Sequence, residues 1–165
     1  MKHLYFYSII FLLFTGFKLY SQETQTAAKD KMMSGTVTKA DFMQDPYVDW
    51  YEDEYQNYTL DVSTLSELKN KIKNTTIKVY FGSWCSDSRR EVPRFIKILD
   101  YLGFDYKNVQ FIALDRSKSA PDYQKNIYDI KYVPTFIFFR NGKETGRIIE
   151  TPEDTLEKDM TKILR

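Results

Sequence analysis

The first apolar signal along the chain is continuous rather than periodic. Leu4 to Phe17 reads LYFYSIIFLLFTGF behind the short basic start Met1-Lys2-His3. The run is shorter than the roughly 20 residues a membrane-crossing helix needs, and it has the layout of a secretory signal. Residues 1–21 are therefore read as a signal peptide, with cleavage after Ser21 leaving Gln22 as the new N-terminus. The alternative is an uncleaved N-terminal anchor. Residues 22–45 are polar, with few large apolar side chains before Phe42, and predict a linker or poorly ordered arm. Residues 46–58, PYVDWYEDEYQNY, mix aromatic and acidic residues. Tyr47, Trp50, Tyr51, Tyr55 and Tyr58 fall at spacings of three and four, which predicts a short amphipathic helix covering an apolar surface.

The pattern becomes regular from Asp61 onward. Val62, Leu65, Leu68 and Ile72 mark one helix face, with Asp61 or Ser63 as cap. Ile77–Phe81 is a β-rich run ended by Gly82, hence a strand. Cys85 to Leu102 carries Phe95, Ile96, Leu99 and Leu102 on one side, with Pro93 inside the helix as a kink. Val109–Leu114 predicts a second strand, 121–130 a short helix, and the apolar run Thr135–Phe139 a central strand buried on both faces. Asn141-Gly142 is a hairpin signal, so Glu144–Ile149 pairs antiparallel with the strand before it. Thr151 as cap, Pro152 at the first position and acidic Glu153 and Asp154 predict a last helix over 152–164. Alternating strands and helices with a closing hairpin give an α/β domain of three layers around a mixed central sheet. The chain thus divides into 1–21, an extension over 22–59, and a domain over 60–165.

Composition narrows what this domain does. With 165 residues the chain is one domain plus a small appendage. Basic residues number 24 and acidic residues 23, which removes the cationic footprint of a general nucleic-acid binder. The single cysteine, Cys85, excludes an intramolecular disulfide. The single histidine, His3, excludes a histidine-based metal centre, and its loss with the signal excludes a Ser-His-Asp arrangement. Asp45, Asp49, Glu52, Asp53 and Glu54 lack the glycine turn and fixed spacing of a calcium loop and read as a solvated helix face. No phosphate loop or dinucleotide fingerprint is present, so the chain calls for no cofactor and no metal.

The chemistry gathers at one corner. The first strand of the domain runs into Gly82-Ser83-Trp84-Cys85-Ser86-Asp87-Ser88, with a helix directly after, and sites in α/β sheets lie at such carboxyl ends of strands. At a helix N-terminus the unpaired backbone N–H groups and the dipole favour an anion, which suits a reactive thiolate. Asp87 opposes this where it lies close to the sulfur; Arg89 and Arg90 support it where they turn toward it. An odd cysteine in an exported chain is read as a free reactive thiol or an intermolecular link. Val133-Pro134-Thr135 opens the apolar strand, and a proline there fixes the turn before it.

These features together resemble the thioredoxin family. The resemblance rests on a strand, Trp84-Cys85-x-x-Ser88, a helix with Pro93 eight residues after the cysteine, Val133-Pro134-Thr135, the Asn141-Gly142-Lys143 hairpin and a C-terminal helix, in that order over residues 60–165. More narrowly, Trp-Cys-Ser-Asp-Ser with a downstream Glu-Thr-Pro is similar to exported thioredoxin-like proteins of bacteria. The resemblance implies a thioredoxin fold, a cis Pro134, and a substrate groove formed by Val133, Pro134 and Thr135 with Trp84 as a wall. It implies protein or peptide thiols and disulfides as partners, a small thiol or other external reductant, and an exported setting in periplasm or cell envelope. Membrane contact would come only through an uncleaved signal. Three departures bear on mechanism. Ser88 stands where the family has its second cysteine, and Val79 stands where many members have a buried carboxylate. Ser86-Asp87 replaces the family's Gly-Pro. The sequence thus leads to a monothiol thiol–disulfide oxidoreductase centred on Cys85. The alternative is a non-catalytic peptide-binding, chaperone-like or redox-sensing module.

Overall fold

The structure is a computed structural model that describes residues 31–121, 123 and 127–165. The signal reading of residues 1–21 lies outside the described residues, as does the polar stretch 22–30. Five strands form one mixed sheet. They are β1 (Gly35–Val37), β2 (Thr75–Phe81), β3 (Val109–Ala113), β4 (Thr135–Arg140) and β5 (Lys143–Ile149), and their order across the sheet is β1-β3-β2-β4-β5. β2 and β3 are parallel, while β1, β4 and β5 pair antiparallel with their neighbours. The helices are α1 (Val48–Asn57), α2 (Val62–Lys71), α3 (Ser86–Leu102) and α4 (Leu156–Ile163). The fold is a thioredoxin fold: a mixed α/β sheet with helices packed upon it.

The period-two alternation of β2 sorts the core into two halves. Ile77, Val79 and Phe81 point to one face, where Phe136 and Phe138 of β4, Phe95 and Leu99 of α3 and Leu156 and Met160 of α4 meet them. Tyr80 points to the other face, with Ile112, Ile137 and Phe139. Ile130, Val133, Tyr123 and Tyr128 of the β3–β4 connection cover that second face. β4 is accordingly buried on both sides, which is why its sequence is an unbroken apolar run. Asn141 and Gly142, with φ of 49° and 75°, are both left-handed, as a two-residue hairpin turn between right-twisted strands requires.

Three elements differ from the sequence expectation. The segment expected as a linker is part of the domain from Gly35 onward: β1 pairs with the edge of β3, and Lys39–Met43 forms a 3-10 turn. Phe42, fully buried, is the anchor. It contacts Trp50, Tyr51, Phe81 and Phe111 with ring centroids 5.1–6.0 Å apart. The helix expected over 121–130 falls partly outside the described residues, and the described ones there are turn, bend or irregular backbone. The last helix starts at Leu156 with Thr155 as cap, not at Pro152 with Thr151. The nearly buried Asp159 side chain accepts the Glu153 N–H at 2.6 Å and holds 150–155 as a loop.

Polar bonds fasten the N-terminal extension to α3. Asp100 accepts from Lys39 Nζ at 2.5 Å, Tyr55 Oη at 2.7 Å and Tyr106 Oη at 2.9 Å. Burial alone would push the Asp100 carboxyl up, but these donors outweigh it and hold it below the ordinary carboxylate range. A carboxyl with a lowered native value stabilises the fold fully above its unfolded value near 4, and that contribution is lost as pH falls through the native value. Asp100→Asn is therefore expected to lower stability at neutral pH and to flatten its decline below about pH 4. Urea melts of both proteins across that range read both effects; equal acid slopes would remove Asp100 from the account.

Candidate active site

Cys85 is the N-cap of α3, in extended conformation with φ −94° and ψ 128°. Its backbone N–H closes a tight turn on the Gly82 carbonyl at 2.9 Å, and its carbonyl accepts the first helical bond from Arg89 at 3.0 Å. An N-cap side chain ordinarily accepts from the first helical turn. The Cys85 side chain makes no such bond. Its S–H donates instead to the Val133 carbonyl at 3.2 Å, and the residue is partly exposed. Cys85 thus leaves the first-turn N–H groups of α3 without a side-chain acceptor from the cap, where an anion is favoured.

Val133-Pro134-Thr135 lies against this sulfur, 48 residues away in sequence. The Val133–Pro134 peptide is cis. The loop is pinned on both sides: Thr135 Oγ1 donates to the Tyr132 carbonyl at 2.7 Å, and the Pro134 carbonyl accepts the Glu150 N–H at 2.7 Å. Glu150 does this with φ of 59°, a left-handed conformation uncommon for a residue with a side chain. Val133 and Pro134 themselves are buried.

Trp84 is fixed from two directions. Its indole Nε1–H donates to the Leu114 carbonyl at 2.9 Å, at the end of β3. Its ring also lies against Gly82, where a Cβ would stand 2.7 Å from the ring. The glycine just after β2 is therefore what lets the indole approach the backbone this closely. Arg116 sits over the ring at 5.1 Å from its centroid. The sequence reading did not single out Arg116, and it read Gly82 as the end of a strand and not as the seat of the indole. Arg116 follows the end of β3 at the same carboxyl edge of the sheet as Cys85, and that position was the available signal.

The neighbours of Cys85 sort into charged and uncharged roles. Ser86 is exposed in the first turn of α3. Asp87 accepts from Arg90 at 2.8 Å, and Arg90 also reaches the nearly buried Glu91 at 2.7 Å. Arg89 donates from Nε to the Ser83 carbonyl at 2.5 Å. Asp87 is balanced by Arg90, and both arginines spend their contacts elsewhere. Ser88 is fully buried, and its Oγ accepts the Gly82 N–H at 3.1 Å. Val79 is fully buried among apolar side chains. Ser83 Oγ accepts the Met33 N–H at 2.9 Å, so the N-terminal extension touches the loop that carries the cysteine. Among the described residues no group of His, Cys, Asp and Glu is arranged to hold a metal ion, and no helix is long and apolar enough to cross a membrane.

Comparison with known proteins gives this corner a context. The family model for thioredoxin matches residues 59–162, which include both Cys85 and Pro134. Thioredoxin H2 of Arabidopsis thaliana is 34% identical over 97 residues, covering 57% of this chain and 68% of its own. The mitochondrial thioredoxin-3 of Saccharomyces cerevisiae is 27% identical over 110 residues, covering 66% of this chain and 81% of its own. In solved structures, a Pseudomonas aeruginosa protein of unknown function shares the fold with a TM-score of 0.55 at 14% identity. That match covers 80% of this chain and 90% of the other. With the family model spanning more than half of its length and laid over the Cys85–Pro134 corner, the chain belongs to the thioredoxin family, whose chemistry is thiol–disulfide oxidoreduction.

Proposed function

We propose that the protein is a monothiol thiol–disulfide oxidoreductase. Cys85, as thiolate, attacks a sulfur of an exposed disulfide R–S–S–R′. A Cys85–S–S–R bond forms, the original S–S bond breaks, and R′–S⁻ leaves and takes up a proton. An external thiol R″–SH then attacks the mixed disulfide. It forms R–S–S–R″ and returns Cys85 to the thiol; a second R″–SH then attacks R–S–S–R″, releasing R–SH and leaving R″–S–S–R″, so two external thiols carry the two electrons that reduce the original disulfide. The observation that carries this reading is the sulfur itself. It stands at the N-cap of a long helix, unused for capping and aimed at the Val133-Pro134 loop. The substrate backbone runs along that loop, with Trp84 as the neighbouring wall.

Ser88 favours a monothiol cycle. It is buried, hydrogen-bonded and chemically unable to expel a substrate thiol from sulfur at neutral pH. The same fact favours the second reading, a peptide-binding, chaperone-like or redox-sensing module in which a mixed disulfide on Cys85 is long-lived. The Leu4–Phe17 run supports an exported setting, in periplasm or cell envelope, where disulfide substrates persist.

Intact-mass spectrometry tests these readings. Reduced protein exposed to glutathione disulfide is expected to gain one glutathionyl group and to lose it again on addition of a small thiol. Absence of the adduct in folded protein, with its formation in unfolded protein, would leave the binding reading in its place. On protein recovered from its native host, the same spectrum reads the N-terminus. Gln22 is the expected first residue, and retention of Met1 would contradict cleavage.

A further inference from the structure

The charges around Cys85 are unevenly satisfied. Asp87 is neutralised by Arg90 at 2.8 Å, and Arg89 is bound to the Ser83 carbonyl at 2.5 Å. Glu150 meets the site through its backbone N–H on the Pro134 carbonyl. Arg116 is exposed, lies over Trp84 at 5.1 Å, and forms no ion pair among the described residues. Arg89 also forms no ion pair, yet its guanidinium is tied to a carbonyl, whereas Arg116 makes no side-chain hydrogen bond among the described residues. The indole beneath it cannot drift, because the Leu114 carbonyl holds its nitrogen and Gly82 lies against its ring. A guanidinium over an aromatic face keeps its positive charge and its outward N–H groups for another partner, and that charge attracts a carboxylate. Trp84 immediately precedes Cys85, so this cation stands over the residue next to the thiol.

We infer that Arg116 is a specificity-determining residue, selecting disulfide and thiol partners that carry a carboxylate close to the reacting sulfur. The inference rests on the monothiol reading of Cys85. Arg116 bonds to no reacting atom. It stabilises the approach complex and the transition state of exchange with an anionic partner, and it disfavours a cationic one. Two charges several ångströms apart at an exposed surface give a factor of roughly 3–5 per partner at low ionic strength, fading as salt shortens the screening length.

The test compares two dialkyl disulfides of opposite charge, 3,3′-dithiodipropionate and cystamine, reacting with reduced protein. Their intrinsic reactivities differ, so the quantity read is the anion-to-cation rate ratio in each variant divided by that of the parent. In Arg116→Gln the ratio is expected to fall by about tenfold at low salt, and the difference to shrink at high salt. Arg116→Lys keeps the charge and is expected to retain most of the ratio. An unchanged ratio in Arg116→Gln overturns the inference. An equal fall in Arg116→Lys also overturns it, because the effect would then come from packing on Trp84 and not from charge. If the folded parent reacts with neither disulfide while the unfolded chain reacts with both, the monothiol reading itself fails. Reaction with both and no dependence on Arg116 sinks only the selection.

Discussion

Replacing Ser88 with cysteine is expected to turn a persistent mixed disulfide into a transient one. In the proposed monothiol cycle, a substrate bonded to Cys85 of the parent waits for an external thiol. A sulfur at position 88 would lie one helical turn from Cys85, on the buried side of the helix start. Resolution then becomes intramolecular. Well-placed intramolecular groups act at effective concentrations far above millimolar, so release should accelerate on the order of a hundredfold or more over a millimolar external thiol. Under mild oxidant the variant should also form an internal disulfide between Cys85 and the new sulfur at position 88, seen as loss of the free thiols without dimerisation. The cost is one weakened acceptor for the Gly82 N–H, about 1 kcal/mol of stability. Quenched-flow measurement of mixed-disulfide decay reads the acceleration. An equal lifetime in Ser88→Cys and parent would mean that position 88 does not stand where the second sulfur of the family acts.

The second large effect concerns the N-terminal extension. Phe42→Ala removes a fully buried ring that contacts Trp50 and Tyr51 from α1, Phe81 from β2 and Phe111 from β3. Truncation of a buried Phe leaves a cavity and costs about 3–5 kcal/mol. That is a large part of the roughly 5–15 kcal/mol by which domains are ordinarily stable. The loss should appear in urea unfolding as a single shifted transition, since β1, Phe42 and α1 share one core with the sheet. Retained stability, or separate melting of the extension, would restore the linker expectation for residues 22–45. The consequence reaches the site, because Met33 bonds Ser83 two residues before Cys85.

What the sequence made legible was local. The β2 run ending at Gly82, the helix periodicity after Cys85, the unbroken β4 run and the Asn141-Gly142 turn each carry their signal within a few residues. They place Cys85 at a strand-to-helix junction. β1 carried no such signal. Its three residues Gly35-Thr36-Val37 are too few to show a period, and they form a strand because β3 offers an edge about 75 residues later. The start of α4 was misread for a related reason. Thr151, Pro152 and Glu153 have the composition of a helix start, but the side chain of Asp159 claims the Glu153 N–H. At the site, the residue types of Trp84, Cys85, Ser88 and Pro134 were readable. Their mutual placement was implied by the family resemblance and not by any local pattern, while Arg116 had neither signal, since its place over Trp84 depends on a contact 32 residues distant along the chain.

The central claim is that the fold makes the Cys85 thiol a better nucleophile toward disulfides than an ordinary thiol. The most direct measurement is the second-order rate of its reaction with glutathione disulfide, in native protein and in the same protein unfolded in urea at the same pH. The unfolded chain supplies the reference thiol, with the same neighbours in sequence and none in space. The account predicts that the native rate exceeds the unfolded rate several-fold or more, because the helix N-terminus favours the anion and the Val133-Pro134 loop holds the partner beside it. A native rate equal to or below the unfolded rate would contradict the account and leave the corner as a binding surface.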